Sequence, residues 1–331
     1  MSTAVLSELK KRNFFHDVLN EALQMKGEEQ EELFRMAREA RDEEFTDKKV
    51  EVRSVIEVSN ICAQNCRYCN MGKDKKIRSF MLENDDLYDL IEQKYLMGRR
   101  VILLQSGEYY KHDNLKTIIS PIEKATQNYS DLVIILCLGN MKKQDYVDLK
   151  KAGASRYILK FESSNQDVYN YCKPNDTLKN RMACIEYLFD AGFEVGSGNI
   201  VGLPNQKDED IVNDLLLMRR YNFDMNSSTA FIPAEQSEFK NYPQGDINKT
   251  LNVMALMRIM NPKRLMPTTS SLEKIVKEGQ YIGLMAGANT VTIHDGTPDE
   301  LKALFPIYSV NRFVPKRTYF DAIVQKAGLK M

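Results

Sequence analysis

Apolar residues change their spacing near residue 50. From residue 3 to 47 they recur every three or four positions among charged ones, as in Phe14-Phe15, Val18-Leu19, Ala22-Leu23 and later Leu33-Phe34 and Ala37, which predicts helix. Beyond residue 50, short β-branched and apolar runs alternate with longer helical stretches. The runs predict strands at Val52–Val58, Arg100–Leu104, Leu132–Leu138, Tyr157–Phe161, Glu194–Val201, Ser227–Phe231, Arg264–Met266 and Thr290–Ile293. Helical spacing lies between them, for example at Asp85–Met97, Lys143–Ala152, Lys179–Ala191, Glu209–Tyr221 and Asn248–Met260. Several of these stretches end at a glycine (Gly98, Gly153, Gly192), as helices commonly do. Strands alternating with helices predict parallel βαβ units. Eight such strands place the chain in the α/β class, as a (β/α)8 barrel of the TIM type; an open doubly wound sheet is the alternative. The expected organisation is an N-terminal helical cap over residues 1–49 and a barrel with a C-terminal extension over 50–331. That extension holds a turn-rich stretch, His294–Lys316, and a terminal helix around Thr318–Ala327.

Charge narrows the possible partners. The 46 basic and 46 acidic residues cancel, so electrostatics give no case for nucleic acid or a membrane surface. No apolar run approaches the roughly 18 residues of a membrane span. The N-terminal segment lacks the apolar core of a targeting peptide. Six cysteines without a pairing pattern suit a reducing cytoplasm and not a disulfide framework.

The chemistry concentrates in Cys62, Cys66 and Cys69, spaced C-x3-C-x2-C with Tyr68 before the last. Three thiolates can hold three irons of a [4Fe–4S] cubane and leave the fourth iron without a protein ligand. Clusters that only carry electrons normally have four cysteines, so an open iron points to a reaction. Structural zinc is the alternative, but it usually needs a fourth ligand. The remaining cysteines (Cys137, Cys172, Cys184) and the histidines (His16, His112, His294) are scattered. The triad directly follows the first predicted strand, on the rim where barrel enzymes build their sites.

Other strand ends carry candidate ligands. Gln105-Ser106-Gly107-Glu108 combines close backbone approach with a carboxylate. Alternation puts Lys160 and Glu162 on one face, either toward a ligand or as a lumen salt bridge. Gly196 and Gly198 would let a flat group lie against their strand, or would mark a bulge or tight layer. Arg181, read as opening the helix after the fourth strand, could fork onto a carboxylate or lie in solvent.

These residues resemble the radical S-adenosylmethionine (SAM) superfamily, nearest to the branch of biotin synthase, methylornithine synthase and the HydE-type [FeFe]-hydrogenase maturase. The matching blocks span nearly the whole chain and include IEVSNICAQNCRYCNMG, ILLQSGE, AGASRYILKFESSN, GFEVGSGNIVGLPNQ and RIMNPKRLMPTTSSLE. The resemblance implies that Cys62, Cys66 and Cys69 ligate the cluster and that SAM chelates the open iron. Glu108, or backbone near it at Ser106, would receive the SAM amino group; Arg181 would pair with its carboxylate; Glu162 would contact polar groups. Backbone near Tyr68 and along Asn199–Val201 would hold the adenine. Reduction by a flavodoxin or ferredoxin would yield a 5′-deoxyadenosyl radical that attacks a small amino-acid-like or cofactor-precursor substrate.

The chain departs from these relatives at substrate-facing positions. Lys160-Phe161-Glu162-Ser163 stands where the maturase pattern has Arg-His-Glu-Thr, and no cysteine follows Cys184. Gln105, Ile135 and Gly196 occupy positions that hold a second cluster in biotin synthase. Cys137, expected to face inward like Ile135, and Cys172 are candidates for a different auxiliary Fe–S cluster, which would imply sulfur insertion. Lys160 and Cys137 are the candidate substrate-facing residues, with Tyr308 and Arg312 beside them. A metal-binding scaffold without catalysis is the rival of another class; Glu108, Glu162 and Arg181 speak against it.

Overall fold

The computed structural model describes residues 2–74, 76–108, 115–306, 315 and 317–331; Tyr308, Arg312 and His112 lie outside them. Three helices come first: α1 (Ser2–Lys10), α2 (His16–Ala22) and α3 (Glu28–Glu44). The alternating part follows as β1 (Glu51–Ser59), α4 (Asn84–Leu96), β2 (Val101–Ser106), α5 (Lys116–Asn128), β3 (Val133–Cys137), α6 (Lys143–Lys151) and β4 (Arg156–Ile158). It continues with α7 (Gln166–Cys172), α8 (Leu178–Asp190), β5 (Glu194–Val201), α9 (Asp208–Tyr221), β6 (Met225–Ala230) and α10 (Ile247–Met260). The chain closes with β7 (Pro267–Thr268), α11 (Ser270–Ile275), α12 (Gly279–Met285), β8 (Thr290–Ile293), α13 (Asp299–Lys302) and α14 (Arg317–Lys326).

The eight strands are all parallel, in the order β6-β5-β4-β3-β2-β1-β8-β7. A bridge between Met225 and Leu265 joins the two ends, carried by Asn226 N–H to Leu265 O at 3.0 Å and Leu265 N–H to Asp224 O at 3.1 Å. The result is a (β/α)8 barrel, not an open sheet. Two strands differ from expectation. β4 ends at Ile158 because Glu162 takes a left-handed φ of 62°, although Glu162 still bridges Asn199 on β5. β7 falls at Pro267–Thr268, just after the predicted run, because Leu265 serves the closing bridge. α7 was not predicted either; it starts where the Asn165 side chain accepts from Asp167 N–H at 2.9 Å and Val168 N–H at 3.2 Å, a standard N-cap.

Strand alternation divides the side chains between two cores. Ile56 and Val58 of β1, Ile102 and Leu104 of β2, Ile134 and Leu136 of β3 and Val291 and Ile293 of β8 face the helices, in one apolar cluster that also holds Leu19, Leu33 and Phe34 of the N-terminal helices. Val55, Val101, Leu103, Ile135 and Met225 face inward, with Cys137, Ile158 and Leu265 packed on them. Below this inner plug lies a group of ions. Glu51 binds Arg53 at 2.7 Å and Arg156 at 2.7 Å, and Arg156 binds Glu194 at 2.7 Å. Above it the lumen walls become polar: Gln105, Cys137, Lys160, Ser227, Thr229, Thr269 and Thr292. No helix among the described residues is long and apolar enough to cross a membrane.

Candidate active site at the barrel mouth

β1 delivers the cysteine loop to the mouth. Its pairing with β2 shifts register between Glu57 and Ser59, a bulge of the kind that re-aims a strand end. The loop is then tied from several sides. Ala63 N–H donates to Glu108 O at 2.8 Å, Arg67 N–H to Cys172 O at 2.9 Å and Phe239 N–H to Arg67 O at 3.1 Å. Gly107 is required here: a Cβ would lie 2.3 Å from Ile61 O and 2.8 Å from the Cys62 Cβ. Cys62, Cys66 and Cys69 are half-buried, and Cys69 Sγ accepts Met71 N–H at 3.3 Å. Desolvation pushes all three thiols up, while the charge of Lys173 draws Cys66 back. Thiolate ligands must lose their protons, so a metal group with strong positive charge fits this loop. Among the described residues no three His, Cys, Asp or Glu side chains converge on a single ion. A cubane does not ask for that, because each thiolate takes its own iron.

Beside the loop stands a buried ionic network. Glu108 Oε1 accepts from Arg181 Nη2 at 2.6 Å and Lys173 Nζ at 2.8 Å. Arg181 Nε donates to Tyr169 Oη at 2.9 Å, and Tyr169 donates to Asp176 at 2.6 Å. Burial alone would raise the Glu108 carboxyl, but Arg181 and Lys173 override it and hold the group well below the carboxylate range. Arg181 is 3% exposed, which excludes the solvated alternative. It also sits on the second helix after β4, since α7 intervenes. Lys173, Tyr169 and Asp176 were not anticipated; the Lys173-Pro174-Asn175-Asp176 turn between α7 and α8 is an unremarkable surface turn in sequence, and packing onto Glu108 gives it meaning.

Lys160 and Glu162 do meet, Nζ to Oε2 at 3.0 Å. Lys160 also reaches Thr229 Oγ1 at 3.4 Å, and Tyr68 Oη lies 3.5 Å from Glu162. Cys137 faces the lumen, and burial pushes its thiol up to about 11. Cys172 packs elsewhere, with Val168, Ile200, Phe231 and Phe239. Ser106 Oγ turns to Gly107 O at 2.7 Å. One expectation on β5 changes. Gly198 has no room for a flat group in place of a side chain, because a Cβ there would lie 1.8 Å from Ser227 O; the glycine serves the close approach of β6. Asn199 and Val201 point into the helix layer, so what they offer the mouth is backbone.

Asn199 points to a further buried group. Its Nδ2 donates to Asp214 at 2.9 Å, and Ser164 N–H donates to the same carboxyl at 2.6 Å. Asp214 is fully buried, and desolvation pushes it up to about 7. The folded protein therefore binds a proton that the unfolded chain releases near pH 4, so this stabilisation is complete below that pH and is lost as pH rises through 7. Asp214→Asn is expected to flatten stability between pH 4 and 7 and to raise it by about 1–3 kcal/mol at pH 8. The buried Asn199 Oδ1, without a partner among the described residues, can accept the new amide once its own amide flips. Urea unfolding at several pH values measures this.

Comparison with known proteins agrees with this geometry. Residues 56–218, which carry the cysteine loop, Glu108 and Arg181, match the family model of the radical SAM superfamily. The [FeFe] hydrogenase maturase subunit HydE of Thermotoga maritima is 33% identical over 308 residues, 92% of this chain and 86% of that protein. The chain belongs to the radical SAM superfamily. The 3-methylornithine synthase of Methanosarcina acetivorans is 25% identical over 83% of this chain and 78% of that one. The crystal structure of a methylornithine synthase shares the fold, with a TM-score of 0.85, 21% identity and coverage of 98% of this chain and 96% of that one. As a radical SAM enzyme, the protein uses a [4Fe–4S] cluster and SAM, acts on a small molecule and needs a reductant.

Proposed function

We propose that Cys62, Cys66 and Cys69 would hold the cluster, that Glu108, Arg181 and Lys173 would bind SAM, and that the lumen below would receive an amino-acid-like substrate. The observation that carries this reading is the convergence of the cysteine loop, through Ala63 and Gly107, on the strand end that bears Glu108. The reduced cluster and SAM supply an organic radical when bound. The chain's own residues bind and orient. Arg181 and Lys173 offer two cations for a carboxylate, and Glu108 offers an acceptor for an ammonium group. Glu162 and Tyr68 offer polar contacts from the other side. Lys160, which reaches Thr229 Oγ1 as well as Glu162, suits a substrate carboxylate, as a point charge and not as a fork. The names of the relatives, a maturase and a 3-methylornithine synthase, agree with small substrates. Free thiols suit the cytoplasm, where a flavodoxin or ferredoxin is the expected electron donor.

Anaerobic reconstitution with iron, sulfide, dithionite and SAM tests the reading. It is expected to give 5′-deoxyadenosine with about four irons per chain, the content of one cubane. An intact cluster that yields no 5′-deoxyadenosine would overturn the catalytic reading. A markedly higher iron content would assign an auxiliary cluster, with the lumen-facing Cys137 as its first candidate ligand and not Cys172, which is buried among apolar side chains.

A further inference from the structure

We propose that the exposed face of the cysteine loop is the docking surface for an acidic, one-electron carrier protein of the flavodoxin or ferredoxin kind; this rests on the reading of Cys62, Cys66 and Cys69 as cluster ligands. Charge over the whole chain cancels, but residues 67–78 carry five cations and one acid. Lys73, Lys76 and Arg78 of that run are exposed. They make no ion pair among the described residues. A run of cations is ordinarily a solvated face, so its place decides its meaning. This one begins between two of the cysteines: Arg67 adjoins Cys66, a Cα step of about 3.8 Å.

A second segment completes the surface. Phe239 N–H donates to Arg67 O at 3.1 Å and Gln236 N–H to Asn70 Oδ1 at 2.9 Å, which lays residues 236–242 against the loop. Lys240, exposed and also without an ion pair among the described residues, extends the positive face. Aromatic rings lie beside these cations. The Arg67 guanidinium stands over the Tyr171 ring, 4.7 Å from its centroid. Tyr171 Oη meets Tyr242 Oη at 3.1 Å, and Tyr242 is 38% exposed. Three acids share the surface. Asp74 accepts from Asn65 Nδ2 at 2.6 Å, Glu238 lies 3.3 Å from Arg67 Nε, and Glu235 is exposed. Against them stand Arg67, Lys73, Lys76, Arg78 and Lys240, so the balance stays positive.

The occupant is argued from charge and place. A positive face speeds the encounter with a negative partner and sets its orientation more than it tightens the complex. Aromatic side chains within a charged rim suit a protein contact, and small contacts of this kind serve electron carriers, which must dock and leave again. Nucleic acid would also meet a positive face, but it has no electron to deliver to the loop it would cover. The transfer is one electron out of the reduced centre of the carrier and one into the cluster, with no bond made or broken.

Electrons cross a docked pair in either direction, and the test uses the reverse one. The cluster-loaded protein, reduced and freed of excess reductant, is mixed anaerobically with oxidised flavodoxin, and flavin reduction is followed by stopped flow. The second-order rate is expected to fall steeply with added salt. Lys73→Glu/Lys76→Glu/Lys240→Glu is expected to lower the low-salt rate on the order of ten- to a hundredfold and to flatten the salt dependence. The same change of charge at exposed Lys26, Lys151 and Lys263 should leave the rate near that of wild type. A small neutral quinone, which needs no docking surface, should oxidise all three proteins alike. Carbodiimide cross-linking of flavodoxin carboxylates to the wild-type protein should join Lys73, Lys76 and Lys240. An unchanged flavodoxin rate in the first variant, cross-links confined to other lysines, or a single-stranded RNA that binds the face while flavodoxin does not overturns the inference. The wild-type cross-links decide it even if the variant does not fold. Iron content separates the two readings. If the cluster assembles and charge reversal has no effect, the docking surface fails alone; if no cluster assembles, the ligand reading fails first, and the cross-links still judge the face.

Discussion

Arg181→Met is expected to cost about 3–5 kcal/mol of stability and to weaken SAM binding on the order of a hundredfold. Methionine keeps the unbranched apolar stem but leaves no donor for Glu108 or Tyr169, which Arg181 now meets at 2.6 and 2.9 Å. Glu108 and Asp176 then share Lys173 as the remaining cation of the network, in a place shielded from water. An uncompensated buried carboxylate is among the more costly outcomes of a single substitution. Denaturant unfolding reads the first effect, and equilibrium binding of SAM to the cluster-loaded protein the second. Loss of stability with unchanged SAM affinity would show that the ligand carboxylate is not bound by Arg181.

Cys66→Ala is expected to prevent cluster assembly and to lower 5′-deoxyadenosine formation by on the order of a thousandfold or more, since the cofactor performs the difficult step. Cys66 lies nearest in charge to Lys173, Glu108 and Arg181, so it is the thiol where the cluster loop and the ionic network influence each other most. Cys184→Ala is the control, because that thiol packs in the outer core and contacts Met141 O. Iron content and visible absorption measure assembly, and chromatography measures the nucleoside. A Cys66→Ala protein with full iron and activity would remove the triad from the chemistry.

The barrel was legible in sequence because its signal is periodic. Each inner strand must bury both faces, and each helix carries an apolar stripe. β4 and β7 were misplaced because they are short and end for tertiary reasons, the left-handed turn at Glu162 and the closing bridge at Leu265. The triad was legible because three thiols at fixed spacing serve few other ends. Lys173 and Asp214 were not, for one shared physical reason. Their chemistry comes from partners distant in the chain: Glu108 for Lys173 and Ser164 for Asp214. A lone lysine or aspartate in a sequence carries no trace of the low-dielectric pocket that will change its behaviour.

The plug of Val55, Leu103, Ile135 and Met225 over the Glu51–Arg53–Arg156–Glu194 ions makes the lumen a blind well. A blind well with one opening imposes an order of traffic. With SAM bound at the mouth, as proposed above, a substrate in the lumen would lie deeper and would have to enter first, and its product could leave only after the spent nucleoside above it had gone. Cofactor and substrate would then be not independent visitors but a stack, last in and first out, and slow release of the upper member would set the pace for both.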